Sequence, residues 1–327
     1  MQKIIITSND AGRRLDRFLR KYLGNASLSS VFKIIRKDVR VNGKRRDNSY
    51  VLEEGDELTL YVNDEQLRAM TARPKAESRK LAKRTFSIVF EDDNILLADK
   101  PYGLLTHGDR HEKKNHLANQ VRDYLIAKGE YDPRKERVFS PAPANRLDRN
   151  TTGLVLFGKN SEALRLLNRM IREDAVSKFY ETIVFGDIDR ELTLSGRLEK
   201  NEARNKAEIL DESDERGREI ETIVRPIQPL RDATLVEVEL VTGRTHQIRA
   251  HLASIGHPLA GDRKYETPRA RNFNRELYRK YHLSTQLLHS RRLEFRRPEG
   301  ILGYLEGRSF EAPLPEQFRR ILDGLEK

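Results

Sequence analysis

The segment Asn145-Arg146-Leu147-Asp148-Arg149-Asn150-Thr151-Thr152-Gly153, running into Leu154-Val155-Leu156-Phe157, sets one carboxylate between two guanidinium groups, just before a turn and an apolar strand. Neighbouring cations favour the ionised acid. An ionised carboxylate held on a turn can act as nucleophile or base. By itself, such an Asp is most often an Asx turn or a cap. A second segment shifts that balance. Thr242-Gly243-Arg244-Thr245-His246-Gln247-Ile248-Arg249-Ala250-His251-Leu252 starts as a turn after a strand and continues as a helix. Thr245 is the expected N-cap, Ile248, Leu252 and Ile255 the buried stripe, and Gly256 the stop. Arg249 falls on the flank of that stripe, where it either reaches a neighbouring pocket or faces solvent.

Other chemistries find little support. There is no Walker loop and no Gly-x-Gly-x-x-Gly, so ATP, NAD and related cofactors are not expected. The chain has no cysteine and no Gly-x-Ser-x-Gly elbow, which leaves no thiol or elbow-serine nucleophile. His107, His111 and His116 lie close in sequence, as do His246 and His251. Neither set has the spacing or acidic companion of a zincin helix, so ordinary hydrogen-bonding histidines are the better reading and no metal is expected. His107 follows Asp99-Lys100-Pro101-Tyr102-Gly103-Leu104-Leu105, a strand leaving the core into a loop, and is a candidate to border a cleft.

The elements that must position these residues belong to a chain long enough for about two domains. It carries 62 Lys and Arg against 51 Asp and Glu, a net charge of +11. That surplus points to a polyanion partner, either nucleic acid or an anionic membrane, with nucleic acid favoured over a merely soluble basic protein. The start of the chain is too short and polar for a signal peptide, and no apolar run approaches the ~20 residues needed to span a bilayer. A cytoplasmic monomer without a membrane partner is expected.

Residues 1–62 read as a small unit. Leu15, Phe18, Leu19 and Tyr22 mark one amphipathic helix with Gly24 as its stop; Ser27 caps a second helix carrying Val31, Ile34 and Ile35. The other faces hold Arg13, Arg17, Arg20, Lys21, Lys33, Arg36 and Lys37. Val39-Arg40-Val41 meets Asn42-Gly43, a short-hairpin signal, with Lys44, Arg45 and Arg46 next. Convergence of charge from two helices and a hairpin favours phosphate contact over a merely solvated face. Residues 63–84 lose periodicity and gain charge, as in Arg73-Pro74-Lys75 and Ser78-Arg79-Lys80-Leu81-Ala82-Lys83-Arg84, and read as a basic linker. Residues 85–327 read as one larger α+β unit. Glu91-Asp92-Asp93-Asn94 is a hairpin turn between two strands, Asn160 or Ser161 caps a helix, and 179–185 and 234–240 are strands. Strands in clusters rather than strict strand–helix repeats argue against a doubly wound sheet.

The wording Arg-Leu-Asp at 14–16, Val39-Arg40-Val41-Asn42-Gly43-Lys44 and Gly55-Asp56 resembles the S4 RNA-binding domain. Further on, Arg146-Leu147-Asp148-x-x-Thr151-Thr152-Gly153, Lys178-Phe179-Tyr180, Gly243 to His251, Gly256-His257-Pro258-Leu259-x-Gly261-Asp262 and Leu288-His289-Ser290-x-x-Leu293-x-Phe295 together resemble the RluA-type pseudouridine synthases, over about residues 85–310. With the S4-like front end, the arrangement is similar to the RluC and RluD branch. Asn145 stands where that family usually has His, and Thr152 where it usually has Ser.

The resemblance implies a mixed, mainly antiparallel sheet with flanking helices and a central cleft, no cofactor, and isomerisation of uridine to pseudouridine, in large-subunit (23S) ribosomal RNA before transfer RNA. It makes Asp148 the essential carboxylate, attacking C1′ or removing the C2′ proton. Tyr180 packs on the target base and serves as acid or base. Arg249 pairs with Asp148. Arg146 holds a phosphate or fills the gap left by the extruded base, Leu288 walls the base pocket, and Arg244 contacts substrate. A base taken out of its stack costs a few kcal/mol, so single-stranded loops and bulges are the favoured targets. Two other classes remain: a non-catalytic RNA-binding protein, and a glycosidase, which needs a second acid near Asp148.

Overall fold

The computed structural model describes residues 1–71, 82–136, 138–201, 206–210, 214 and 216–326. The chain divides into two compact units: residues 1–84 with 119–142 and 158–165, and residues 85–118, 143–157 and 166–327.

The first unit begins with β1 (Gln2–Ile5), α1 (Leu15–Tyr22), α2 (Leu28–Asp38), β2 (Val39–Val41), β3 (Glu57–Leu60) and α3 (Asp64–Thr71). Its strands form an antiparallel sheet in the order β1-β3-β2. The apolar stripes of α1 and α2 are buried in one core with Val41, Leu58 and Leu60. Ser27 Oγ accepts the Ser30 N–H at 3.2 Å and caps α2. Asn42 and Gly43 both have positive φ, 53° and 74°, as a two-residue hairpin turn requires. The arm after that turn does not form a strand, and β2 pairs with β3 instead.

Part of the expected linker is helical. Asn63 Oδ1 accepts the Gln66 N–H at 2.7 Å, Asp64 and Glu65 occupy the first turn, and Leu67 enters the N-terminal core. Cap and dipole favour the helix; a single buried leucine is too sparse to show a period. Arg73-Pro74-Lys75 and Ser78-Arg79-Lys80-Leu81 lie outside the described residues. The later pieces of this unit are tied in by side chains. Val138 joins its core, Arg165 donates to the Ala11 carbonyl at 2.9 Å, and Arg13 donates to Ser161 Oγ at 3.1 Å.

The remaining elements are β4 (Ser87–Glu91), β5 (Ile95–Lys100), α4 (Leu117–Lys128), β6 (Ala142–Pro143), β7 (Thr152–Gly158), α5 (Ser161–Arg172), β8 (Val176–Phe185), β9 (Leu192–Asn201), β10 (Lys206–Leu210), β11 (Arg218–Leu230), β12 (Ala233–Leu240), α6 (Gln247–Ser254), α7 (Arg271–Tyr281), β13 (Leu288–Phe295), β14 (Ser309–Glu311) and α8 (Glu316–Leu325). The strands build an 11-stranded sheet in the order β10-β9-β11-β12-β8-β13-β7-β5-β4, with β14 beside β13 and β6 beside β7. β8 and β12 pair antiparallel, as do β8 and β13, while β13 and β7 run parallel. The sheet is mixed and mainly antiparallel, in an α+β arrangement.

Local signals explain several junctions. Asp92 Oδ1 accepts the N–H groups of Asn94 and Ile95, both at 2.8 Å, so the acidic cluster between β4 and β5 is an Asx turn. Asn160, not Ser161, caps α5, accepting the Ala163 N–H at 2.8 Å. At the parallel junction Gly153 faces Ser290, and a Cβ on Gly153 (φ +102°) would lie 2.2 Å from the Ser290 carbonyl oxygen. Only glycine lets β7 approach β13 there, directly after the Asp148 turn. No described helix is long and apolar enough to cross a membrane.

Candidate active site

Asp148 lies on the turn between β6 and β7, closed by the Thr151 N–H to the Asp148 carbonyl at 3.1 Å. Buried polar groups hold this turn. Thr106 Oγ1 donates to the Leu147 carbonyl at 3.0 Å and accepts the Leu147 N–H at 3.1 Å. Lys100, fully buried at the end of β5, donates from Nζ to the carbonyls of Leu104 (2.7 Å), Arg149 (2.9 Å) and Pro101 (3.2 Å). Burial pulls its ammonium down to about 7, while Asp148 and then Asp99 hold it up. A neutral amine has only two hydrogens to give, so three carbonyl acceptors favour the charged form further.

Asn145 ties the start of the segment to β7: Oδ1 accepts the Leu156 N–H at 2.8 Å and Nδ2 donates to the Leu154 carbonyl at 3.3 Å. Its role here is that of a hairpin clasp. Thr152 Oγ1 bonds to His289 Nδ1 at 2.8 Å, a contact that a serine hydroxyl would equally supply.

The cation touching Asp148 is not a sequence neighbour. Arg149 pairs with Asp109 at 3.3 Å, and Arg146 is exposed. Arg249, on α6, brings Nη1 to 3.3 Å from Asp148 Oδ2. Its stronger bonds go to buried Asp262: Nε to Oδ2 at 2.6 Å and Nη2 to Oδ1 at 2.9 Å. Arg249 is therefore held by a bidentate pair to Asp262, with one arm left for Asp148.

Helix α6 starts differently from the sequence expectation. Thr245 does not cap it; the N-cap is His246, in the left-handed region at φ +59°. The turn is closed by the Gln247 side chain, which accepts the Arg244 N–H at 3.0 Å and donates to the Glu221 carbonyl and Thr222 Oγ1, each at 3.0 Å. Ile248 and Leu252 are buried, but Ile255 is exposed, because the helix ends at Ser254 and Gly256 turns the chain away.

A cavity of about 740 Å3 opens over these groups, within the usual range for a ligand site. Asp148, Tyr180, Arg249, Arg146, Leu288 and Arg244 all line it. Arg146, Arg172 and Arg244 are exposed at its edge. Tyr180, on β8, is buried, and that burial pushes its phenol up to about 12, with the Asp148 charge adding to the rise. Ser290 Oγ, opposite on β13, makes no well-formed hydrogen bond among the described residues, so it acts on Tyr180 only as a nearby dipole working against the rise. His107 does not line the cavity; it is exposed, close enough to Arg146 to feel its charge.

Arg17, Lys33, Arg36, Lys37, Lys44, Arg45 and Arg46 are exposed on the first unit. Arg13 differs: it is half-buried, bonded to Ser161, with Nε buried and without a hydrogen-bond partner among the described residues. It is a packing residue, not an open phosphate contact. The described residues hold no cluster of three or more His, Cys, Asp or Glu suited to a metal. His251 is a core histidine bonded to Thr222 Oγ1 at 3.1 Å.

Sequence reasoning missed Lys100, Asp262, His246, Tyr265 and Arg172. A lysine ending an otherwise apolar strand was the available signal for Lys100, and a tight Gly261 turn the signal for Asp262. Arg172 carries no local signal.

Comparison with known proteins places the chain in a family. Residues 94–254 match the family described as RNA pseudouridylate synthase. A Vibrio cholerae protein named ribosomal large subunit pseudouridine synthase C is 35% identical over 274 residues, covering 81% of this chain and 80% of that one. The Escherichia coli K12 protein of the same name is 34% identical over 328 residues, covering 98% and 96%. Among solved structures, human RNA pseudouridylate synthase domain containing 4 superposes with a TM-score of 0.53 at 20% identity, covering 72% of this chain and 92% of that chain, a likeness of fold.

Proposed function

This chain belongs to the RNA pseudouridylate synthase family, and on that premise we propose that it converts uridines of large-subunit ribosomal RNA to pseudouridine, with Asp148 as the essential carboxylate. The observation that carries the assignment of Asp148 is the convergence, in one cavity, of a carboxylate on a rigid turn, a buried arginine reaching one of its oxygens, and a buried tyrosine. Relatives at 34–35% identity bear ribosomal large subunit names, which favours that RNA over transfer RNA.

The reaction breaks N1–C1′, turns the base and joins C5 to C1′; C5 loses a proton and N1 ends with one. Positive charge develops on the sugar as N1 leaves, and an ionised carboxylate beside C1′ stabilises or traps it. Asp148 either attacks C1′ or takes the C2′ proton; both routes need its free oxygen at the sugar. Tyr180, its phenol pushed up to about 12, is protonated at neutral pH, so it packs and donates rather than acting as a base. Leu288 walls the uracil slot, and Arg146, Arg172 and Arg244 offer the cavity edge to phosphates. Asp262, the other carboxylate on Arg249, is buried and doubly bonded, which leaves it poorly placed as the proton donor a glycosidase needs. The first unit, S4-like in sequence, contributes RNA affinity through its exposed basic residues, and the cytoplasm is the compartment of such a substrate.

The test is pseudouridine mapping on transcribed large-subunit and transfer RNA. Wild type is expected to modify discrete ribosomal uridines. Asp148→Asn is expected to form no pseudouridine while binding RNA within severalfold of wild type. Normal turnover by Asp148→Asn would remove Asp148 from the reaction.

A further inference from the structure

His246 is the second group on the Asp148 carboxylate. Its Nε2 lies 3.6 Å from Asp148 Oδ2, the oxygen that Arg249 also reaches. At that distance there is no formed hydrogen bond, but contacts in substrate-free sites are often long and tighten when substrate binds. The other ring nitrogen is engaged: His246 Nδ1 and Tyr265 Oη are 3.0 Å apart, with the rings edge to face. Tyr265 Oη also accepts the Ala207 N–H at 2.7 Å. Its own hydroxyl proton then needs an acceptor, and among the described residues His246 Nδ1 is the one within reach. A proton donated to Nδ1 leaves the imidazole hydrogen on Nε2, facing Asp148. The tyrosine is itself fixed, with the Arg249 guanidinium 5.1 Å from its ring centroid.

We propose that Tyr265 and His246 form a positioning relay: Tyr265 sets the His246 tautomer, and His246 with Arg249 holds Asp148 Oδ2 so that Oδ1 is presented to the ribose. His246 has a buried side chain and occupies a left-handed N-cap, a backbone conformation uncommon for a non-glycine residue. The charged and titratable groups around it are Asp148 on the β6–β7 turn, Arg249 on α6, and Asp262, Lys264 and Tyr265 on the following loop. Burial, Arg249 and Lys264 act against its protonation, and Asp148 and Asp262 act for it; the net direction is down, which favours the neutral ring. Tyr265 reinforces this, since its donated proton occupies the site where a second ring proton would go.

The assignment of the relay to catalysis rests on the reading of Asp148 given above; the tautomer does not. The first measurement is therefore a long-range 1H–15N correlation spectrum of 15N-histidine-labelled full-length protein, with His246 identified as the signal that disappears in His246→Gln. Wild type is expected to show the neutral ring protonated at Nε2, and Tyr265→Phe to show a mixed or Nδ1-protonated ring. An Nδ1-protonated ring in wild type, or no change in Tyr265→Phe, overturns the relay.

The second measurement is steady-state pseudouridine formation against pH. Tyr265→Phe is expected to move the acid limb of kcat to higher pH, because Nδ1 becomes free to protonate. His246→Gln, which keeps an N–H donor but cannot titrate, is expected to flatten that limb. His246→Ala is expected to lose about tenfold or more in kcat with KM little changed, the scale of a bond to a charged group. Acid limbs identical to wild type in both Tyr265→Phe and His246→Gln remove His246 from control of the carboxylate. If the spectra behave as expected but Asp148→Asn retains normal turnover, the failure lies in the proposed function and not in the relay.

Discussion

Removing Asp262 tests whether the site is built on Arg249's bidentate partner or on its single contact with Asp148. Both members of the Arg249–Asp262 pair are buried, with side chains 8% and 1% exposed, and their bonds are 2.6 and 2.9 Å. Breaking such a pair by deleting one partner leaves a desolvated charge and costs roughly 3–5 kcal/mol. For a unit of this size that is roughly 6–20 °C in melting temperature. Asp262→Ala should therefore melt well below wild type in calorimetry, and Asp262→Asn by less, because its carbonyl still accepts one bond. In both, the freed guanidinium turns more fully onto Asp148 and weakens it as nucleophile or base, so kcat on RNA should fall at least about tenfold. The double variant Arg249→Met/Asp262→Leu separates the two effects. Replacing both charges by apolar side chains should return stability to within about 2 kcal/mol of wild type, yet kcat should stay at least about tenfold below wild type, because Asp148 no longer has its arginine. If Asp262→Ala melts within about 2 °C of wild type, or the double variant melts as low as the single, the pair is not what holds Arg249.

Other consequences can be checked separately. His289 is fully buried, its imidazole pushed down to about 4 by burial, with its ring bonded by Thr152 and the Ala312 carbonyl. Its neutral form is favoured in the fold, so this contribution is complete above the unfolded value near 6.5 and is lost as pH falls towards 4. The loss should reach about 3 kcal/mol by denaturant titration, and His289→Gln should flatten that pH dependence. Gly153→Ala forces a Cβ to within 2.2 Å of the Ser290 carbonyl oxygen at φ +102°; a loss of stability of roughly 2 kcal/mol or more is expected, together with a fall in kcat as the Asp148 turn shifts. Neutralising Lys33, Arg36, Lys37 and Arg17 to Gln should lower the slope of log K against log salt for RNA binding by about 0.7 for each phosphate left without its cation, without altering the melting temperature; an unchanged slope would place the RNA elsewhere.

Much of what depends on residues within a turn or two of one another was legible in the chain. The stripes of α1 and α2, the Asn42-Gly43 turn, the Asx turn at Asp92 and the Asn160 cap follow from i to i+4 geometry and short side-chain–backbone bonds, which tertiary packing seldom overrides. α3 was missed although Asn63, Asp64 and Glu65 write its start, because one buried leucine leaves no period. Arg13 looked like its basic neighbours until Ser161, 148 residues away, supplied its partner.

The site divides along the same line. Sequence alone determined that Asp148 stands on a turn before a buried strand, and the motif wording from Arg146 to Phe295 was enough to suggest the reaction. Tertiary structure decided which charges surround that carboxylate. Arg146 and Arg149 flank it in the chain, but in the fold one lies exposed at the cavity edge and the other pairs with Asp109. The groups that act on it arrive from elsewhere: Lys100 from the end of β5, and Arg249 and His246 from the start of α6, with Asp262 and Tyr265 holding those two. Electrostatic coupling falls with distance through space, not along the chain, and a sheet that brings β5, β7, β8 and β13 side by side is what turns separations of many tens of residues into contacts of a few ångströms.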